Sequence, residues 1–173
     1  MTVAVLVLLA VTAAAGLLLT ARGERLRPLW GAVALSTLLA VAAALAWSAH
    51  PAVLGVAQGA VLAGVLAAVT GGGPVATAIL QAADPAAAGI AGGPQDPEIL
   101  RGGAWIGAME RAAIAGTLLV GWPEGLAVVL AVKGLGRYAE LRAPAAAERF
   151  ILGTLASALW AAACVGVAVL LRH

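Results

Sequence analysis

The side chains of this sequence that could do chemistry are charged groups set within apolar runs in the last part of the chain. Glu110 and Arg111 stand side by side in the run WIGAMERAAIAGTLLVGW, residues 105–122. Adjacent residues on a helix point about 100° apart, so these two side chains cannot satisfy each other well. Charges inside a membrane cost about 2.5–3.5 kcal/mol each on insertion scales, and they mark binding sites, ion pathways or ion pairs.

Two later segments carry groups that could pair with Glu110 and Arg111. Three charged residues at spacings of four and three share one helix face: Lys133, Arg137 and Glu140. The last apolar run has four polar residues near its start: Glu148, Arg149, Thr154 and Ser157. The predicted pairs are Glu110 with Lys133 or Arg137, and Arg111 with Glu148 or Glu140.

This charged cluster allows three interpretations. It can be a structural ionic network that fixes the packing of the helices. It can be a proton or anion pathway, or a pocket for an acidic headgroup or substrate. A catalytic role ranks third, because no Ser/His/Asp triad or paired-acid site can be assembled on one membrane face.

The composition places these groups in a membrane protein. The chain has 173 residues, of which 63% are hydrophobic and 10% charged, and its mean hydropathy is +1.04. In an average soluble domain roughly a quarter of the residues are charged. The formal net charge is only +2, and no block of basic residues is dense enough to bind nucleic acid.

Apolar segments predict an all-α, polytopic integral membrane protein with about six transmembrane helices. A bilayer core about 30 Å thick requires about 20 mostly apolar residues per helix. The predicted spans are 3–20, 29–48, 51–70, 102–122, a rather short 125–138, and 145–171. The first lacks the basic start of a signal peptide and is therefore expected to be retained. The tight link between the fourth and fifth predicts an antiparallel hairpin.

The glycines and proline at 71–74 are predicted to end the third helix, because GGGP cannot continue a helix at low cost. Residues 75–82 are then a short helix, either interfacial or re-entrant, within a Gly/Pro/Ala-rich loop. The chain thus divides into three N-terminal helices (1–70), a loop (71–101) and a C-terminal three-helix unit with the charged cluster (102–173).

Basic residues in the loops predict the orientation. Arg22, Arg25 and Arg27 lie between the first two spans, whereas the next loop has no formal charge. The positive-inside rule places the first loop in the cytoplasm. Six spans then put both termini outside and the 71–101 loop inside, in a bacterial-type plasma (inner) membrane.

Three segments resemble an uncharacterised membrane-protein family, domain of unknown function 3307: GGAWIGAMERAAI, VKGLGRYAEL and AAERFILGTLASALWA. The resemblance covers a little over a third of the chain. The matching positions are Gly103, Ile106, Gly107, Glu110, Arg111, Lys133, Arg137, Glu148, Gly153, Thr154 and Ser157. This sequence has Gly134 where the family has serine, and it lacks the family's N-terminal segment with His, Asp and Gln. The resemblance implies a membrane protein and supplies no activity.

The remaining polar and aromatic residues predict packing or anchoring. Cys164 and Trp160 are expected to pack within a span, and the other tryptophans to anchor span ends. His50 and His173 are expected to be solvated ends, and three acids beside prolines to be turn residues: Asp84, Asp96 and Glu98. We expect no metal and no cofactor.

Two function classes remain after these exclusions. The first is a small, oligomeric transporter or carrier whose cytoplasmic cluster binds an anion, a proton or a phospholipid headgroup. The second is a non-enzymatic membrane scaffold or complex subunit, in which the cluster only joins helices and residues 71–101 contact a partner. An enzyme acting on a lipid comes third. Membrane lipids are expected partners in every case.

Overall fold

The computed structural model of the chain describes residues 1–22, 28–84, 97–138, 142 and 144–172. The described residues form six α-helices: α1 (Thr2–Arg22), α2 (Pro28–Trp47), α3 (Leu54–Ala83), α4 (Pro97–Leu119), α5 (Glu124–Gly136) and α6 (Pro144–Leu170). The predicted all-α class is confirmed.

Four of these helices, α1, α2, α3 and α6, are long and apolar enough to cross a membrane. They indicate a helical membrane protein. Within the described residues, α4 and α5 do not meet the same criteria. Helix α5 has 13 residues and is about 20 Å long, shorter than a hydrocarbon core of about 30 Å. The six-span count and the sides of the termini stay predictions.

Helix α3 lies at the centre of the bundle and contacts α1, α2, α4 and α6. Helix α1 runs parallel to α3, and glycines mark where the two helices are closest. If Gly59 carried a Cβ atom, this atom would lie 3.3 Å from Leu6. A Cβ atom on Gly16 would lie 2.7 Å from the backbone nitrogen of Gly71. Lipid tails are as apolar as the side chains, so close packing of small residues drives such contacts.

Helix α6 runs antiparallel to α3. A Cβ on Gly64 would lie 3.0 Å from Ala168, and a Cβ on Gly153 would lie 3.3 Å from Leu80. The backbone amide of Ala52 donates to the carbonyl of Leu171 at 3.0 Å, which joins the α2–α3 link to the last turn of α6. One end of the bundle therefore holds the starts of α1 and α3. The opposite end holds the end of α1, the end of α3 and the start of α6, and we name it the Arg22 end.

The prediction that residues 71–74 end the third helix is wrong, and so is a separate helix over 75–82. Helix α3 continues through Pro74 to Ala83. Pro74 has no amide hydrogen to donate to the carbonyl of Thr70. The Thr20 hydroxyl of α1 lies 3.4 Å from this carbonyl and 2.8 Å from the carbonyl of Gly16, so its single proton is shared between the two acceptors. Side chains of neighbouring helices can satisfy backbone groups that proline frees, and this allows the helix to continue.

The third helix therefore includes residues 71–83 of the stretch predicted as a loop. Gly71, Gly72, Val75 and Ala78 are buried in the bundle. Partner binding by the remainder, up to residue 101, stays a prediction, because residues 85–96 lie outside the described part of the chain.

The predicted antiparallel hairpin of the fourth and fifth helices is confirmed. The backbone amide of Trp122 donates to the carbonyl of Thr117 at 2.8 Å. Gly121 has a φ of 73°, which favours glycine, and it allows the tight turn between α4 and α5. A Cβ on Gly125 would lie 2.5 Å from Thr117, so the start of α5 packs closely on α4.

Trp160 and Cys164 are buried within α6, as predicted. Trp160 donates its indole N–H to the carbonyl of Ala67 in α3 at 3.0 Å. Three other tryptophans are exposed and lie near helix ends, where interfacial anchors are expected: Trp30, Trp47 and Trp122. Trp105 is also exposed, but it is the ninth residue of α4 rather than a residue at a helix end.

Candidate functional site

An ion pair joins α4 to α5 at the edge of the bundle. The Lys133 ammonium lies 2.5 Å from the Glu110 carboxylate, with 20% and 14% of the two side chains exposed. Lys133 also lies over the ring of Phe150 in α6, at 5.9 Å from its centroid. Of the two partners predicted for Glu110, the structure thus confirms Lys133.

Arg111, the next residue, extends into the interior of the bundle and is only 8% exposed. Its Nε donates to the backbone carbonyl of Val69 in α3 at 2.9 Å. Its Nη1 donates to the hydroxyl of Ser157 in α6 at 3.4 Å. One side chain thus connects α4 to both α3 and α6.

The prediction that Arg111 pairs with Glu148 is wrong. Glu148 is exposed near the start of α6. It precedes Ser157 by nine residues, or about 13 Å along the helix. The guanidinium instead lies against the glycine-rich segment of α3. Glu140, the other predicted partner, lies outside the described residues.

The glycines of α3 make room for Arg111 and Trp160. A Cβ on Gly72 would collide with Cδ of Arg111, and a Cβ on Gly71 would lie 2.7 Å from the Trp160 ring. Gly107, one turn before Arg111, would bring a Cβ to 3.0 Å from Nη1. The GGG sequence therefore forms the surface on which two large side chains pack, a role that the pattern of the sequence did not suggest.

Thr154 and Ser157 lie three residues apart on one face of α6, and both are buried. Ser157 accepts the hydrogen bond from Arg111. The Thr154 hydroxyl is shielded from solvent and has no hydrogen-bond partner among the described residues. Buried polar groups are nearly always bonded, so this hydroxyl is an exception that needs a physical reason.

We name the following residues the polar track: Glu110, Lys133, Thr154, Ser157 and Arg111. Phe150, Thr154 and Ser157 are spaced by four and three on α6, so they share one face. Lys133 lies at Phe150, and Arg111 lies at Ser157. Exposure falls from 20% at Lys133 to 8% at Arg111, so the track leads from the edge of the bundle inward.

Two further predicted site residues are exposed, Arg137 at the end of α5 and Glu148 near the start of α6. Arg149 forms an ion pair with Asp84, which joins the start of α6 to the end of α3. The sequence predicted Asp84 only as a turn residue, and this pairing brings a second charged contact to the Arg22 end.

The charges of the polar track do not balance. Lys133 takes the Glu110 carboxylate, while the acceptors of Arg111 are a carbonyl and a hydroxyl, both neutral. A guanidinium has five N–H donors, and two nitrogens carry the bonds described above. Counted over the described residues, the track therefore has one excess positive charge, and some N–H groups of Arg111 have no described acceptor, which suits an anion. Within the described residues, no group of three His, Cys, Asp or Glu side chains could hold a metal.

A groove with an apolar lining lies elsewhere, between α2 and α3, with a volume of about 640 Å³. Its lining includes Val33, Thr37 and Val41 of α2 and Val75 and Ile79 of α3. No residue of the polar track lines it, so this groove does not connect to the charged site.

Comparison of the chain with protein-family models, curated proteins and solved structures finds no match. The resemblance to domain of unknown function 3307 stays a prediction.

Proposed function

We propose that this protein is a small multi-pass membrane carrier that binds an anionic group at Arg111. One observation carries the proposal: the guanidinium is buried in the bundle, and its described acceptors are the neutral groups of Val69 and Ser157. An ionisable residue at this position is expensive for a membrane protein and is by default a candidate functional group.

The place at which Arg111 of α4 contacts α3 supports this interpretation. The guanidinium packs at Gly72, two residues before Pro74, inside a helix that is long enough to cross the membrane. Ionisable side chains that face the interior of a helical bundle in a membrane commonly mark substrate or ion pathways. The Glu110–Lys133 pair lies at the more exposed end of the track, where an entering ion would meet it first.

A scaffold or complex subunit is the second candidate, and a different observation favours it. Arg111 joins three helices, and Gly72 leaves just enough space for its side chain. In this second candidate, the buried arginine has a structural role alone, which is to fix the packing of α4. Assembly as an oligomer, and a location in the bacterial inner membrane, accompany either candidate as proposals.

Anion flux into liposomes tests the carrier. The full-length protein is reconstituted in phosphatidylcholine vesicles, and flux of chloride, acetate and inorganic phosphate is measured against protein-free vesicles. We expect flux of at least one anion, its loss in Arg111→Gln, and its retention in Arg149→Gln, which breaks the ion pair outside the track. Flux no greater than in protein-free vesicles for all three anions would reject the carrier.

The same variants separate the scaffold from the carrier. If Arg111 only fixes α4, Arg111→Gln broadens the size-exclusion peak in detergent, and the parent protein carries no anion. A carrier instead loses flux in Arg111→Gln while its peak stays sharp.

A further inference from the structure

We propose that the inner end of the polar track binds one small oxyanion, a carboxylate or phosphate group, between Arg111 and the Thr154 hydroxyl. This site rests on the proposed function, anion binding at Arg111. It adds a second donor, a position between α4 and α6, and the chemical class of the ligand.

The orientation of the Thr154 hydroxyl points to a ligand. Threonines in helices commonly return their hydroxyl to a carbonyl of the preceding turn. Several threonines of the described helices do so: Thr12, Thr20, Thr37, Thr70 and Thr117. Thr154 does not, although its residue is only 9% exposed. Its hydroxyl is thus buried, has no partner among the described residues, and is available to a ligand.

One donor of Arg111, Nη1, bonds to the residue of α6 that lies one turn from Thr154. Ser157, which accepts from Nη1, lies one turn from Thr154 on the same face of α6. Side chains three residues apart on a helix have Cβ atoms about 5–6 Å apart. A group with two acceptor oxygens can bridge such a gap, accepting from the guanidinium on one side and from Thr154 on the other.

Nη2 of Arg111 lies on the Gly73 side of the guanidinium, 3.9 Å from the position that a Cβ on Gly73 would take. By contrast, the part of Arg111 that faces Gly72 is tightly packed. Nε and Nη1 bond to Val69 and Ser157, and Nη2 has no hydrogen-bond acceptor among the described residues. The donors of Nη2 are therefore the part of the guanidinium that is left for a ligand.

The chemistry of these donors selects an oxyanion. Arginine binds carboxylate and phosphate through two parallel N–H···O bonds, and bonds to charged acceptors are about twice as strong as neutral ones. The Thr154 hydroxyl adds a third donor. An acceptor with several oxygens can use all three donors, whereas an acceptor with one oxygen atom cannot. A free anion and the phosphate of a lipid headgroup present the same oxygens, and the two sources need separate measurements.

The experiment compares hydroxyl-free and hydroxyl-retaining variants of Thr154 in the full chain. Thr154→Val keeps the size of the side chain, Thr154→Ala is a second hydroxyl-free variant, and Thr154→Ser restores the donor. Thr12→Val is the matched control, because Thr12 is fully buried on α1 and bonds only within its own helix.

Two arms distinguish the sources of the oxyanion. In the first, equilibrium dialysis measures binding of radiolabelled inorganic phosphate to the protein in phosphatidylcholine nanodiscs. In the second, native mass spectrometry measures phosphatidylglycerol retained from mixed nanodiscs. In the arm where the parent protein binds, we expect Thr154→Val and Thr154→Ala to weaken binding about tenfold. Thr154→Ser and Thr12→Val should stay within about twofold of the parent.

The contrary results separate this site from the proposed function. If Arg111→Gln abolishes binding but both hydroxyl-free variants bind like the parent, the anion binds at Arg111 without Thr154, and the donor assignment fails alone. If the parent protein binds in neither arm, the oxyanion site and the proposed function fail together.

Discussion

Helix α3 meets α1 and α6 through glycine and alanine, whereas α4 reaches it with the long side chain of Arg111. On the first side the helix backbones almost touch, since a Cβ on Gly16 would lie 2.7 Å from Gly71. On the second side a guanidinium fills the space and donates to Val69. Among its described residues α3 buries ten, and α5 buries only Gly125.

The two sides of α3 thus differ in kind: the glycine and alanine contacts are rigid, whereas the side-chain bonds of α4 can be exchanged for bonds to a ligand. Contacts between backbones allow no adjustment, because neither partner has a rotatable bond to move. The hydrogen bonds and the ion pair of α4 and α5 can re-form with a ligand, since each involves a long side chain. The α4–α5 hairpin is therefore the part of the molecule suited to respond to an anion.

The largest effect is expected at the contact between α1 and α3. Gly16→Val places a branched side chain against the backbone of Gly71 and forces the two helices apart. We expect a loss of about 3 kcal/mol in unfolding free energy, the upper part of the range for overpacked cores. Denaturation in mixed micelles measures it. Gly166→Val in α6 is the control, because nothing lies within 4 Å of a Cβ there; equal losses in both variants would contradict the close contact.

The next effect compares two neighbouring glycines of α3. Gly72→Ala should displace the Arg111 side chain and cost about 2 kcal/mol through lost packing and a lost charged hydrogen bond. Gly73→Ala should change stability by less than about 0.5 kcal/mol, since its Cβ fits and alanine favours the helix. Thermal unfolding of both variants measures the difference, and similar melting temperatures would show that Arg111 does not occupy this space.

A smaller effect is expected for the partly exposed ion pair between α4 and α5. A double-mutant cycle with Glu110→Gln and Lys133→Met should give a coupling of about 1 kcal/mol. Its sign is stabilising, and raising the salt concentration should reduce it if water reaches the pair. A coupling of zero at low salt would mean that the two helices are held by other contacts.

The smallest effect is expected at the Arg22 end, where Arg149 pairs with Asp84. Both side chains are substantially exposed, at 32% and 44%. Arg149→Gln should therefore lower the unfolding free energy by less than about 1 kcal/mol, and this loss should vanish at high salt. A larger, salt-independent loss in denaturation would show that this pair is part of the core.

The sequence was sufficient for the features that depend on local pattern. Apolar runs of about 20 residues predicted the four long helices, because a bilayer sets that length. The short link around Gly121 predicted the hairpin of α4 and α5. Complementary charge at matching depth predicted that Glu110 pairs with Lys133 or Arg137, and in the structure its partner is Lys133.

The features that depend on contacts distant in sequence could not be predicted. Pro74 ends a helix on local grounds, whereas in the structure the Thr20 hydroxyl, 50 residues away, lies 3.4 Å from the carbonyl of Thr70 that Pro74 leaves without an amide donor. The sequence predicts carboxylate partners for Arg111, because a sequence shows which residues are charged. It does not show which backbone carbonyl can accept a further hydrogen bond. The acceptor of Arg111 at Val69 and its space at Gly72 appear only when α3 and α4 are in contact.

The glycine contacts between α3 and α6 also bear on how the chain is made. A ribosome releases α3 long before α6, so Gly64 and Gly71 remain uncovered while the intervening residues are synthesised. Until α6 docks, the face of α3 that receives Trp160 lacks its protein neighbour. Docking of α6 is therefore the step of assembly that covers this glycine-lined face.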